Sequence, residues 1–176
     1  TALDLAVQSG TMQLEEDADS AQVILLNGQI PDLERIAARI ESGAGLVLIM
    51  GPDITAQAAS TLLGHEVTLE PTEEPASLTD APEAIDPLLT EIMWNSAPQV
   101  RERFKVMLSG GLPLVNAYEN GEVILQRAAP KTYLFTAFLG QENPQIQEWP
   151  YFNYFIYHLT AQAAGVTPLS FADYPA

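Results

Sequence analysis

Hydrophobic residues in the first third of the chain follow two patterns. Residues 23–26 and 46–50 are continuous apolar runs, which is typical of strands covered on both faces. Between them, residues 32–42 carry apolar side chains at helical spacing. The order of strand 22–26, helix 32–42 and strand 46–50 predicts a β-α-β unit with a right-handed crossover, and therefore a parallel sheet.

The pattern beyond residue 50 predicts further elements of both kinds. Asn120-Gly121 lies between two apolar runs, a strong signal for a β-hairpin. The other predicted elements are a helix over 55–63, an edge strand over 66–70, strands over 100–107 and 132–139, and a final helix over 149–164. The chain is therefore predicted to be α/β with a mainly parallel sheet and an antiparallel hairpin in its C-terminal half.

Residues 71–87 form the clearest irregular segment. They contain four prolines and five acidic residues and no basic residue. A solvated acidic loop is the simpler interpretation. A cation-binding loop is the alternative, although the segment lacks the spacing of a calcium-binding loop.

Composition and charge exclude several classes of function. The 176 residues are 47% hydrophobic and suffice for a single globular domain, 1–176. There are 23 acidic and 7 basic residues, a net charge of -16, which argues against nucleic acids and anionic membranes as partners. The absence of cysteine excludes disulfides, thiolate metal sites and a cysteine nucleophile. No zinc-binding motif or phosphate-binding glycine loop occurs, so we predict neither a metal nor a cofactor.

The sequence also suggests where the domain operates. It begins at Thr1 rather than methionine, which predicts a piece of a longer protein, and a membrane anchor could lie in that remainder. No apolar run approaches the roughly 20 residues that span a bilayer, so this segment is not expected to insert into a membrane. Acidity and the absence of cysteine favour an extracytoplasmic setting over a cytoplasmic one.

Residues 22–70 contain the pattern VILLNGQIPDLERIAARIESGAGLVLIMG. This pattern resembles the class I glutamine amidotransferase-like superfamily, which includes the ThuA-like proteins. An Asp-Pro-Leu-Leu stretch at 86–89, the glycine-containing hairpin, the apolar strand and the closing helix extend the resemblance over residues 20–165. The resemblance implies a flavodoxin-like three-layer sandwich.

One departure from this superfamily decides the chemistry. Its active amidotransferases carry a cysteine in the turn after the strand that corresponds to residues 46–50 of this chain. That cysteine is paired with a downstream histidine and an acid. This chain has Met50-Gly51-Pro52-Asp53 at that place. A thioether has no ionisable proton and cannot act as the thiolate nucleophile. Glutamine hydrolysis by that mechanism is therefore excluded.

Four polar residues remain as candidates for ligand binding: Asn27, Asp53, His65 and Glu119. Asn27 and Asp53 follow the two predicted parallel strands, where open α/β sheets place their ligands. The competing interpretation of Asp53 is a cap for the helix that begins near residue 55. No catalytic residue is nominated, because with 23 acids the sequence does not single out a carboxylate pair.

These observations favour a non-catalytic domain of a larger protein, with a protein or a small molecule as its partner. The alternative is a cysteine-independent, ThuA-like carbohydrate-processing enzyme that uses carboxylates at the sheet edge. The dense aromatic run over 149–157 predicts a large helix that packs on the sheet, and the alternative is an exposed aromatic patch for a carbohydrate or protein partner. A third possible role is a self-associating structural domain that uses this helix or the strand near 66–70.

Overall fold

A central six-stranded sheet and a separate two-stranded ribbon organise the chain in this computed structural model, which describes residues 7–8, 12–15, 17–82 and 91–167. The sheet order is β1-β2-β8-β7-β6-β4, and β3 pairs with β5 to form the ribbon. The strands are β1 (Val23–Asn27), β2 (Gly45–Ile49), β3 (Val67–Thr72), β4 (Leu78–Asp80), β5 (Arg103–Leu108), β6 (Leu112–Ala117), β7 (Val123–Ala129) and β8 (Thr132–Phe135). The helices are α1 (Leu33–Glu41), α2 (Ala56–Leu63), a 3-10 turn (Trp94–Ser96), α3 (Pro144–Glu148) and α4 (Phe152–Ala164).

The parallel part of the sheet confirms the predicted β-α-β unit. β1 pairs in parallel with β2, and β2 pairs in parallel with β8. The helix between the first two strands begins where Asp32 accepts a hydrogen bond from the backbone N–H of Arg35 at 3.1 Å. All five residues of β2 are buried, as expected of a central strand covered on both faces.

The predicted α/β class is confirmed, but the prediction of a mainly parallel sheet is wrong. β8, β7, β6 and β4 are joined by antiparallel pairings, so the sheet has two parallel and three antiparallel pairs. For two of the three antiparallel pairs the physical reason is connection length. Short turns join β6 to β7 and β7 to β8, and a connection that short can only reverse the chain direction. The predicted hairpin around Asn120-Gly121 is the β6–β7 pair.

The acidic segment is partly ordered into the sheet, contrary to the prediction of a loop over 71–87. β3 extends to Thr72, Ala76 pairs with Val100 as an isolated bridge, and β4 adds to the sheet edge beside β6. The predicted edge strand over 66–70 exists, but its partner is β5 rather than the central sheet. Residues 83–90, with the whole Asp-Pro-Leu-Leu stretch, lie outside the described residues.

The core is divided by the sheet into two layers. One layer contains α4 with Trp94 and Trp149, and the other contains α1, α2 and the inner side of the ribbon. Residues 154–161 of α4 are all buried. The prediction of a helix that packs on the sheet is confirmed, and the alternative of an exposed aromatic patch is wrong for these residues, because Tyr154 and Phe155 belong to the core cluster and Tyr157 is only 7% exposed.

A buried ion pair connects the ribbon to the hairpin. Arg103, at the start of β5, is only 1% exposed. Its guanidinium donates to both carboxylate oxygens of Glu122, at 2.8 and 2.9 Å. It also donates to the backbone carbonyls of Arg101 and Glu74. This network holds two parts of the chain that have no strand pairing with each other.

Candidate functional site

The carboxyl ends of β1 and β2 meet at one edge of the sheet. Asn27 is the exposed last residue of β1, and the N–H of Gly28 donates to the carbonyl of Ile49 at 3.0 Å. A Cβ added to Gly51 would lie 2.4 Å from the Cα of Gly28, so the two backbones are in direct contact. Little space therefore remains between the two strand ends themselves.

Asp53 is exposed and borders a shallow pocket of about 340 Å³ at this edge. The helix α2 is capped by Thr55, whose hydroxyl accepts from the N–H of Ala58 at 3.2 Å. The interpretation of Asp53 as the side-chain cap of this helix is therefore wrong. The residues lining the pocket are Gln29, Ile30, Leu33, Asp53, Ile54 and Ala58, and Asn27 is not among them.

His65 lies away from Asp53. It follows Gly64, the left-handed residue that ends α2. Because α2 has eight residues, its two ends are about 12 Å apart. Asp53 precedes the first end and His65 follows the second, so the structure does not bring these two residues together.

Glu119 is exposed at the tip of the β6–β7 hairpin. β6 runs in the same direction as β2, so the tip lies at the same sheet edge as Asp53, but three strand spacings, about 14 Å, separate the two strands. The backbone N–H of Ser77 donates to both carboxylate oxygens of Glu119, at 3.1 and 3.0 Å. Hydrogen bonding by Ser77 lowers the pKa of Glu119 below its ordinary value of 4.5, and the side chain of Ser77 has the largest effect. This carboxylate therefore anchors the segment before β4.

This anchoring predicts a pH-dependent effect of Glu119→Gln. A carboxyl with a lowered pKa in the folded protein stabilises the fold above its ordinary pKa, and that stabilisation is lost as the pH falls through the lowered value. We expect the variant to lose less than about 1 kcal/mol at neutral pH, because the carboxylate is exposed and screened by solvent. The difference from the parent should shrink as the pH falls below 4.5 in urea unfolding. Glu73→Gln, at an exposed position, is the control, and an undiminished difference at low pH would contradict the assignment.

A larger cleft of about 550 Å³ lies elsewhere, between β5 and the β6–β7 hairpin. Gln126 in β7 lines it and is 4% exposed, and its Nε2 atom has no hydrogen-bond partner among the described residues. The lining residues are Glu66, Thr68, Val106, Met107, Leu108, Ser109, Gly110, Gly111, Pro113, Val123 and Gln126. None of the four residues predicted from the sequence lines this cleft. The sequence contained one signal for this cleft, the polar residue Gln126 in the otherwise apolar run VILQ. An amide in such a run is expected to be buried, and a buried amide is expected to have a hydrogen-bond partner.

Met50 stands where the resemblance would place a nucleophile. It is 1% exposed and packs in the core layer that contains α1 and α2. In the part of the chain that the structure describes, no three histidine, aspartate or glutamate side chains are grouped to hold a metal ion. Within the same residues, no helix is both long and apolar enough to cross a membrane.

The overall α/β fold has a counterpart among solved structures. No family model matches the chain, and no curated protein matches its sequence. The fold is similar to that of Cytoplasmic Protein STM1381 from Salmonella typhimurium LT2, with a TM-score of 0.61 and 15% sequence identity. The match covers 85% of this chain and 75% of that protein. At this identity the similarity establishes the shared fold.

Proposed function

We propose that this chain is a non-catalytic binding domain of a larger protein, built on a flavodoxin-like fold of the amidotransferase-like type. The observation that carries the proposal is the environment of Met50. The strand end that would present a nucleophile instead carries a thioether buried in the core. The next residue, Gly51, touches the backbone of Gly28, which leaves little room for a reacting group between the two strands.

The placement of the remaining polar candidates also supports binding over catalysis. General acid–base chemistry needs two groups within reach of one substrate. His65 and Asp53 lie at opposite ends of α2. Glu119 accepts hydrogen bonds from Ser77, on a part of the sheet away from Asp53. Asp53 shares its pocket with one amide side chain and otherwise apolar residues.

The enzyme alternative has one observation in its favour. Asp53 is an exposed carboxylate in a pocket at the carboxyl end of a parallel strand, the usual place for ligands in open α/β sheets. A ThuA-like, cysteine-independent carbohydrate-processing reaction would have to use this carboxylate. The two functions therefore predict opposite results for one substitution.

Turnover assays on the parent protein and on Asp53→Asn separate these functions. We expect neither protein to hydrolyse glutamine or a panel of nitrophenyl glycosides above the buffer rate. Hydrolysis by the parent that is lost in Asp53→Asn would overturn the proposal and establish the enzyme. Asp32→Asn is unsuitable as a control because Asp32 caps α1. Glu41→Gln, at an exposed position near the end of that helix, is the better control.

A thermal-shift screen then addresses binding directly. Sugars, nucleotides, amino acids and divalent cations are tested on the same two proteins. A ligand present at 100 times its dissociation constant stabilises the folded state by about 2.7 kcal/mol, a readily measured shift. A shift that Asp53→Asn abolishes would assign the 340 Å³ pocket as the binding site. A shift that survives the substitution would direct attention to the cleft beside β5.

A further inference from the structure

The two strands of the ribbon differ in how their outer edges are protected. In an antiparallel pair, the residues whose N–H groups face the partner alternate with residues whose N–H groups face outward. The N–H of Val67 donates away from β5, to the hydroxyl of Ser60 at 3.0 Å. The N–H of Phe104 donates away from β3, to the carbonyl of Thr136 at 3.2 Å. By the same alternation, the backbone groups of Val106 and Leu108 face outward from β5.

The outer edge of β3 is blocked to another strand at two of its three outward-facing residues, and Leu69 between them is the open one. Val67 is already bonded to Ser60, and Pro71 has no N–H to donate. Exposed acidic residues also occur here, Glu66 directly before this strand and Glu70 within it. These are the usual means by which proteins protect an edge strand from further pairing.

The outer edge of β5 is open over half of its length. Its beginning is covered by the segment after β8, through the bridge between Arg103 and Ala137 and the bond from the N–H of Phe138 to the carbonyl of Glu102 at 3.0 Å. Beyond Phe104 this cover ends. Among the described residues, no backbone group accepts a hydrogen bond from the N–H of Val106 or Leu108 on that side.

The cleft of 550 Å³ lies along this open edge. Val106, Met107 and Leu108 line it together with Gln126, whose buried Nε2 atom has no hydrogen-bond partner within the described chain. A buried donor without an acceptor carries a desolvation cost that a ligand carbonyl would remove. The cleft therefore combines open strand-pairing groups with an unsatisfied amide.

We propose that an extended peptide segment of a partner protein binds in this cleft as an added strand beside residues 106–108. Its backbone pairs with the outward N–H and C=O groups of Val106 and Leu108, and one of its carbonyls accepts from Nε2 of Gln126. The bound segment is neutral or basic, because Glu66 is the one ionisable residue of the lining and the domain has a net charge of -16. This inference rests on the proposed binding function and names the chemical class of the ligand.

Disulfide tethering tests the site with defined peptides in place of the natural partner. The chain has no cysteine, so Met107→Cys introduces a single thiol on the cleft wall, at a residue that is 73% exposed. Tyr118→Cys places a similarly exposed thiol, at 77%, on the hairpin tip outside the cleft. Both variants are incubated with thiol-bearing heptapeptides of alternating valine and threonine, flanked by lysine or by glutamate, and with thiol-bearing sugars. Intact-mass spectrometry under partly reducing conditions measures capture.

We expect Met107→Cys to capture the lysine-flanked peptide several-fold more than Tyr118→Cys does, and more than it captures the glutamate-flanked peptide. Two versions of the lysine-flanked peptide, each methylated at one of the two alternating sets of backbone nitrogens, provide a further check. The preference for Met107→Cys should be lost when the methylated set is the one that faces β5, and kept when it is the set that faces away. Preferential capture of the sugars would overturn the peptide assignment. Equal capture of the peptides by the two variants would overturn the site.

Gln126→Leu, made in the Met107→Cys background, tests the role of the amide. We expect about 2- to 10-fold less capture, the loss of one hydrogen bond. The unfolding midpoint should not fall, since the substitution removes a buried group without a partner. Gln145→Leu, an exposed residue in α3 outside the cleft, is the matched control. Unchanged capture in Gln126→Leu would contradict the assigned carbonyl contact.

The failure of this inference differs from failure of the proposed function. Absence of selective capture, with no turnover in the assays above, would contradict the peptide site but not the non-catalytic assignment. Turnover that depends on Asp53 removes the non-catalytic assignment, whatever the tethering experiment shows.

Discussion

Arg103→Met is expected to destabilise the fold by about 3–5 kcal/mol, the usual cost of breaking a buried ion pair from one side. Arg103 is 1% exposed and forms a two-pronged contact with Glu122. Its removal leaves the Glu122 carboxylate without its counter-ion in a site where that side chain is only 11% exposed. It also removes the donor for the carbonyls of Arg101 and Glu74. Urea unfolding followed by circular dichroism measures the change.

The neighbouring residue Lys105 provides the matched control. It also pairs with a glutamate, Glu74, at 3.3 Å, but the two side chains are 33% and 71% exposed. Lys105→Met should therefore cost at most about 1 kcal/mol. Similar losses for the two substitutions would contradict the view that burial makes the Arg103 pair critical.

A double-mutant cycle separates the interaction energy between Arg103 and Glu122 from the contribution of each side chain alone. When Glu122→Leu is added to Arg103→Met, both charges are removed and the unpaired carboxylate disappears. The double variant should be more stable than the sum of the single losses predicts, since an apolar replacement of a whole buried pair is often tolerated. Strict additivity would show that the two side chains act independently.

Gly45→Ala is expected to be the second severe substitution. A Cβ at this position would lie 2.0 Å from the carbonyl oxygen of Ala163 and 2.5 Å from its carbonyl carbon. β2 and α4 are therefore packed backbone against backbone, and a single methyl group would force the helix away from the centre of the sheet. Overpacking of this kind typically costs about 1–3 kcal/mol, occasionally more, and we expect the upper part of that range because backbone cannot rotate aside. Thermal and urea unfolding of the variant measure the loss.

Two controls establish that contact, rather than loss of a glycine, is responsible. Gly64→Asn replaces the left-handed residue that ends α2, where an added Cβ meets nothing within 4 Å, and asparagine is tolerated in that conformation. Its effect should be small. Ala163→Gly should not rescue Gly45→Ala, because the obstructing atoms belong to the backbone of residue 163. Rescue by that second substitution would refute the backbone contact.

The local part of this structure was predictable from the sequence. The apolar pattern identified β1, α1, β2 and α2 to within a few residues, because it reports on a residue's immediate neighbours. Asn120-Gly121 located the hairpin for the same reason, since the turn geometry is a property of those residues.

The candidate site was less predictable. Asn27 and Asp53 lie at one sheet edge, as expected of residues that follow parallel strands, because those two strands are adjacent. The sequence could not show that His65 follows the far end of a helix, or that Glu119 is held by Ser77, 42 residues away along the chain. The open edge of β5 depends on where the segment after β8 stops covering it, which no local pattern encodes.

The sequence by itself determined the class of the fold, the order of most of its elements and the exclusion of a cysteine-dependent reaction, because composition and periodicity are properties of the chain alone. Only the tertiary structure decided that β2 lies between β1 and β8, that the ribbon stands apart from the sheet, and that Arg103 meets Glu122. Those outcomes depend on which distant segments bury one another's surfaces. Several strand pairings satisfy the same hydrophobic pattern, and packing of the complete core selects among them.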